Sequence, residues 1–189
     1  MALTMLDPIT ALIVVDLQRG IVDLASVHSI GDVVARASTL AAAFRQHRLP
    51  VVLVNVAGGA PGRTERPRPG HPFPDGWTDL IPELDRRPDD IAVTKRTWGA
   101  FASTDLDSQL RRRGVTQVVI AGVATGSGVE STARQAYEAG FNVTLATDAM
   151  TDPHLEAHDY CIANVFPRLG ESGSTQAIID LLATGGMQA

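Results

Sequence analysis

The sequence predicts an α/β fold, with a parallel sheet of six strands covered by helices on both faces. Three observations predict it. Short runs rich in Val, Ile, Leu and Ala recur along the chain, too continuously apolar for strands with one wet face. Segments with apolar residues at 3.6-residue spacing alternate with those runs. Turns rich in glycine and small residues separate strand from helix, most clearly across 118–140 (VVIAGVATGSGVESTARQAYEAG). Repeated βα units of this kind give a parallel sheet buried between helical layers.

Taken in order, 11–16 (ALIVVD) reads as a first buried strand. Residues 30–47 follow as a helix, with Val33, Val34, Ala37, Leu40, Ala41 and Phe44 on one face. Pro50 precedes a second strand, 51–55. A Pro/Gly/Arg-rich stretch, 57–76, then breaks the pattern, and a loop of that length inside a compact domain is expected to be a lid or an interface element. Residues 91–94 are a third strand and 105–113 a helix, whose closing Arg111, Arg112 and Arg113 suit a helix C-terminus. Residues 115–121 form the fourth strand and 129–139 its helix. A fifth strand at 142–147 leads to a helix from 153 to about 165. A short strand near 168–172 and a last helix, 175–182, complete the chain. With no internal repeat and no linker, one domain is expected over 1–189.

Composition narrows the functional classes. The 189 residues are 44% hydrophobic and 20% charged, as in ordinary globular domains, and the net charge of −5 excludes the basic stripe of a general nucleic-acid binder. Apolar runs are strand-length, too short to span a membrane, and the first eight residues lack the charged segment of a signal peptide. Cys161 is the sole cysteine, which excludes an internal disulfide and fits a cytoplasmic location.

Three places at the carboxyl ends of strands carry candidate chemistry, the edge where parallel α/β proteins bind ligands. Asp16 closes an apolar strand. It either acts in acid–base chemistry, its pKa raised by partial burial, or caps the next turn. Lys95, in VTKRTWGAF, either neutralises Asp16 or grips an anionic substrate, unless it is a solvated surface lysine. The third is the turn 124–128, where a helix start aims backbone N–H groups at one point above the sheet. The position best placed for a nucleophile there is a glycine, Gly128.

These motifs together resemble the isochorismatase-like hydrolases, a family that includes nicotinamidases, carbamoylsarcosine amidohydrolases and isochorismatases. The resemblance rests on VVDLQRG, TKRTWGAF, GVATGSGVESTARQAYEAG and NVTLATDAMTD, and covers essentially the whole chain. It implies a three-layer, Rossmann-like fold and a catalytic Asp–Lys–Cys triad. Asp16 and Lys95 match the first two members, and Gly128 stands at the cysteine position. It also implies a cis peptide at Val123–Ala124, turning the Ala124 N–H beside that of Gly128 as an oxyanion hole. Both donors are backbone groups, so they do not depend on a side chain at 128.

A glycine cannot form the thioester of the family's amide hydrolysis. Ser127, one residue back, is rotated by about 100° on a helical turn, which is expected to aim its hydroxyl away. His154, His158 and Cys161 share one helix face and are read as core packing rather than a metal site. The family's zinc-bearing nicotinamidases use an Asp-x-His pair in the loop after the second strand. This loop has His71 and Asp75 but no such pair, so neither metal nor other cofactor is expected. Isochorismatases cleave an enol ether with a protonated carboxyl and water, needing no covalent nucleophile. Asp16 would be that acid and Lys95 its partner. Gln18 is expected to point into the same pocket or to bond backbone as a turn residue. Trp98 and Phe101, with Trp77 and Phe73, either wall a flat substrate or pack. The turn GVATGSGVEST looks like that of the amidohydrolase branch. The expected partner is a small-molecule substrate, in a homo-oligomer, with hydrolysis as the activity and ligand binding without turnover as the rival reading.

Overall fold

The computed structural model describes residues 3–65 and 73–185. Six strands form one parallel sheet: β1 (Thr10–Val15), β2 (Val51–Val56), β3 (Ile91–Lys95), β4 (Gln117–Val123), β5 (Asn142–Thr151) and β6 (Glu171–Gly173). Their order is β3-β2-β1-β4-β5-β6. The chain winds outward from β1 in one direction and restarts at β4 in the other. The switch point between β1 and β4 opens a crevice at their carboxyl ends.

Side-chain alternation along the strands feeds two cores. On one face Ile13, Val15, Val54, Val93 and Ile120 pack with residues of α3 (Leu106–Arg112) and α4 (Glu130–Glu138). On the other, Leu12, Val14, Leu53, Val119 and Ala121 pack with α2 (Ile30–Gln46) and α6 (Thr175–Ala183). Burial on both faces is the reason β1, β2 and β4 read as unbroken apolar runs, whereas β3 at the sheet edge alternates buried and exposed residues. The expected six-stranded, three-layer α/β architecture is the one observed.

Helix ends follow local chemistry. Ser29 caps α2 by accepting from the Asp32 N–H, and Ser174 caps α6 by accepting from the Ala177 N–H. A four-residue helix, α1 (Arg19–Val22), carries no apolar periodicity and was not expected from sequence. The helix expected at 153–165 is instead α5 (Leu155–Tyr160), a wide turn at Cys161–Val165, and a 3₁₀ turn at Phe166–Arg168. Pro167 has no N–H to continue the ladder there. The helix expected from 129 is likewise preceded by a wide turn, Thr125–Val129, closed by the Val129 N–H donating to Ala124 O at 3.1 Å. β5 runs four residues further than expected, because its pairing with β4 shifts register between Ile120 and Gly122.

Gly122 is required by the β1–β4 seam. Its φ is +111°, and an added Cβ would lie 2.1 Å from Val15 O. Only glycine lets β4 pass so close to the residue that precedes Asp16.

Candidate active site

Asp16 follows β1 with φ +53°, a conformation Asp tolerates better than most residues. Its own N–H donates to Val54 O, and its carbonyl accepts from Gln18 N–H, both at 2.9 Å. The chain therefore turns sharply as it leaves the sheet and presents the carboxyl at the crevice. Lys95 ends β3, and its Nζ lies 2.8 Å from Asp16 Oδ2, with the two side chains 2% and 8% exposed. The ammonium also donates to Thr97 O at 3.2 Å. Asp16 Oδ1 is buried with no hydrogen-bond partner.

Burial governs this carboxyl. Desolvation raises the Asp16 pKa from 3.8 to about 6, against the opposing pull of the Lys95 ammonium and its hydrogen bond. A buried ion pair loses solvation on both partners, and here the carboxylate is left with only one of its oxygens bonded. The group therefore holds a proton for a useful fraction of the time near neutral pH.

A cavity of about 300 Å³ opens above this pair. Its wall includes Asp16, Lys95, Ala124, Ser127, Gly128 and Asp152, together with Trp77 and Trp98. The Val123–Ala124 peptide is cis. A Cβ on Gly128 would lie 3.2 Å from Asp16 Oδ2 and 3.1 Å from both Val123 O and Val15 Cγ1. Residue 128 thus faces the carboxyl directly, and a side chain there would be a tight fit.

The expected site residues divide. Asp16, Lys95, Ala124, Gly128 and Trp98 come together on one wall. Trp98 is 69% exposed. Gln18 does not join them. Its Nε2 donates to Val56 O and Trp77 O at 3.1 Å, and its Oε1 accepts from Val56 N–H at 2.7 Å. Of its two sequence readings, the structural one holds: the amide ties the loop before Trp77 to the end of β2. Phe101 is also off the wall, with its ring against Phe141 at 5.9 Å between centroids. It lies on the turn leading to α3, which directs it into the helical layer. Ser127, expected to turn away, lines the cavity, because the turn is wider than a regular helical one.

Trp77 and Phe73, from the loop after β2, stack at 4.0 Å and also line the cavity. Gly20 makes room for this: an added Cβ would meet the Trp77 indole at 2.0 Å. His71 lies outside the described residues.

Asp152 was not foreseen. It follows β5 as Asp16 follows β1, the same signal of a carboxylate closing an apolar strand. It is 4% exposed, accepts from Gly126 N–H through Oδ2 at 2.8 Å and from His154 N–H through Oδ1 at 3.0 Å. Its carbonyl accepts from Val27 N–H. One residue therefore clips the 124–128 turn, the loop after α1 and the start of α5 together.

The face expected to carry His154, His158 and Cys161 is only partly buried. His154 is exposed at the start of α5. His158 is buried, with Nδ1 2.9 Å from Thr125 Oγ1 and its ring against His28. Burial, then the neighbouring His28, lowers its pKa. The Cys161 thiol donates to Glu130 Oε2 at 3.1 Å, and burial with that carboxylate pushes it up to about 12. It is a poor nucleophile, set behind the turn.

The acid–ammonium pair and the strand–turn–helix bend thus meet in one cavity at the switch point of a parallel α/β sheet. The isochorismatase domain model matches residues 10–177, and the chain belongs to the isochorismatase family. It is similar to the uncharacterized isochorismatase family protein YwoC of Bacillus subtilis, 42% identical over 178 residues, covering 90% of this chain and 93% of that one. It is 34% identical over 170 residues to the ureidoacrylate amidohydrolase RutB of Pseudomonas syringae, covering 74% and 69%. The structure of an isochorismatase family protein from Burkholderia thailandensis superposes with a TM-score of 0.92 at 41% identity, covering 96% of this chain and all of the other. No helix among the described residues is long and apolar enough to cross a membrane.

Proposed function

We propose that this protein hydrolyses a small molecule by acid–base chemistry at Asp16, without a cysteine nucleophile, and that enol-ether cleavage is the reaction class. One observation carries the reading. Asp16 sits in a largely apolar cavity with its pKa near 6, while the residue facing it is a glycine. A protonated Asp16 gives its proton to the terminal carbon of the enol ether, forming a C–H bond and leaving an oxocarbenium ion. Water adds to the neighbouring, oxygen-bearing carbon of that ion and returns a proton to the Asp16 carboxylate. The hemiacetal or hemiketal then collapses to a carbonyl compound and an alcohol. Lys95, 2.8 Å away, stabilises the carboxylate that the first step creates. If the substrate is an amide, the Ala124 and Gly128 amides serve as donors to the carbonyl oxygen, where negative charge develops.

The amidohydrolase names among the relatives make amides the second substrate type to assay, with Asp16 then acting as base on water. The reading extends to a homo-oligomer in the cytoplasm, and the exposed apolar Leu155 and Tyr160 support assembly. The test is turnover of a panel of enol ethers and amides by purified protein and by Asp16→Asn. Turnover abolished in the variant supports the proposal. Turnover that survives Asp16→Asn refutes Asp16 as the acid. Ligands that raise the melting temperature without any turnover would identify a binding protein, the alternative that Gly128 favours.

A further inference from the structure

At the amino ends of β1, β2 and β3, the sheet edge opposite Asp16, lies a second cleft of about 1020 Å³. Four arginines line it, each from a different segment: Arg45 in α2, Arg48 in the turn after it, Arg87 before β3, and Arg113 at the end of α3. The chain has 16 basic residues and a net charge of −5, so four guanidiniums in one cleft run against its general balance. Set against Asp85, which pairs with Arg87, and against Asp89 and Asp90 on the wall, they leave an excess of positive charge.

The four differ in what holds them. Arg45 is fixed: Nε and Nη2 donate to the two Asp90 oxygens at 3.1 and 2.7 Å, and Nη2 also donates to Leu84 O at 3.0 Å. That grip orients the guanidinium and presets Nη1 as a donor. Arg113 spends one N–H on Gln109 O at 3.0 Å. Arg48 is exposed and makes no ion pair among the described residues.

Helix dipoles do not account for Arg48. The last turn of α2 already carries Arg45, and that of α3 carries Arg111 and Arg112. Arg48 lies beyond the α2 cap with φ +58°, its backbone N–H on Arg45 O at 3.0 Å. Glycine suits that left-handed position best, and an arginine there gives up backbone stability. A cation held at conformational expense is an observation from which function is inferred. Between the arginines the floor is apolar: Ile9, 40% exposed, with Leu49 and Pro50. A bare inorganic ion leaves that surface wet, whereas an anion with an apolar body covers it.

We propose that this cleft binds an organic phosphate, its phosphoryl oxygens on Arg45 Nη1 and the Arg48 guanidinium and its apolar body on Ile9 and Pro50. Guanidinium forks match phosphate oxygens in pairs, and Arg87 and Arg113 add to the positive field. The site is independent of the chemistry at Asp16.

Calorimetric titration of the full chain with phenyl phosphate, phenol and inorganic phosphate, at neutral pH and low salt, tests it. Phenyl phosphate is expected to saturate one site, about tenfold or more tighter than either of the others. Arg48→Gly separates a ligand role from a structural one. It is expected to weaken phenyl phosphate about tenfold or more, while raising the melting temperature by about 2–4 °C. Arg113→Gln, which leaves the backbone at 48 untouched, is expected to weaken binding less. Absence of saturable binding would overturn the proposal, as would inorganic phosphate binding as tightly as phenyl phosphate, the mark of an adventitious ion only. Binding unchanged in both variants would place the ligand elsewhere, the Asp16 cavity included, and refute this site. A melting temperature lowered by Arg48→Gly would show the arginine to be structural and refute the argument from its backbone.

Discussion

Replacing Asp16 by Asn should change how stability depends on pH, in a direction opposite to ordinary acid denaturation. Burial raises the Asp16 pKa from 3.8 to about 6 in the folded chain. A group whose folded pKa is raised contributes stability that is fully present below the unfolded value. That stability is lost as pH rises through the folded value, because the native state must give up a proton it holds more tightly than the unfolded chain does. From 3.8 to about 6, at 1.36 kcal/mol for each tenfold change in proton affinity, the loss is about 3 kcal/mol. The window runs from about pH 4 to somewhat above 6. Asn cannot ionise, so Asp16→Asn lacks this loss. The variant also leaves the Lys95 ammonium without its carboxylate, an offset expected to be nearly constant across the window. Urea unfolding of both proteins at half-unit steps between about pH 4 and 7 gives the difference in stability as a curve. The wild type should lose about 3 kcal/mol relative to the variant across it. A flat curve, or one rising with pH, would refute burial as the dominant influence on Asp16 and with it the acid role.

Other perturbations follow from the geometry. Gly128→Cys should fold at a cost of about 1 kcal/mol, since neighbours at 3.1–3.2 Å must yield by a few tenths of an ångström. Its new thiol, on the cavity wall, should be alkylated by iodoacetamide. Cys161 in the wild type, pushed up to about 12 and bonded to Glu130, should resist until the chain unfolds, as read by intact mass. Gly122→Ala should cost more than about 3 kcal/mol, because the site combines φ +111° with backbone 2.1 Å away, and a near-native melting temperature would contradict the packing of β1 on β4. Asp152→Ala should cost about 2 kcal/mol by stripping the acceptor from two partly buried hydrogen bonds, with faster hydrogen exchange at Gly126 and His154.

Much of this fold was legible because its central strands are buried on both faces. β1, β2 and β3 ended within one residue of expectation. What could not be read was how a turn closes. Whether 125–129 and 161–165 wind as regular helix or as wider turns depends on partners distant in sequence, such as the Asp152 carboxylate on Gly126 N–H and the Glu130 carboxylate on the Cys161 thiol. Asp16 and Lys95 were legible as charges ending apolar strands. Asp152 gives the same signal but was missed, because β5 was expected to end at 147, and the register shift that carries it through Thr151 leaves no mark in periodicity. Gln18 and Phe101 show the complementary limit. Each is close in sequence to a site residue, but side-chain direction decides whether it meets the cavity, and backbone acceptors and the helical layer claimed them first.

The two oxygens of Asp16 separate what residue 128 can and cannot change. Oδ2 is held by Lys95, and the Cβ position of residue 128 falls 3.2 Å from that same oxygen. A side chain at 128 would therefore crowd the bonded oxygen and leave Oδ1 as it is. On the proposed route the proton travels through the carboxyl to substrate and never through residue 128. Gly128→Ala should then reduce turnover of an enol ether only modestly, through crowding, and leave the pH dependence of the rate in place. Asp16→Asn should abolish turnover. If Gly128→Ala instead shifted the pH profile as far as a change at Lys95 does, the glycine itself would be shaping the acid, and the carboxyl could not be treated as acting alone.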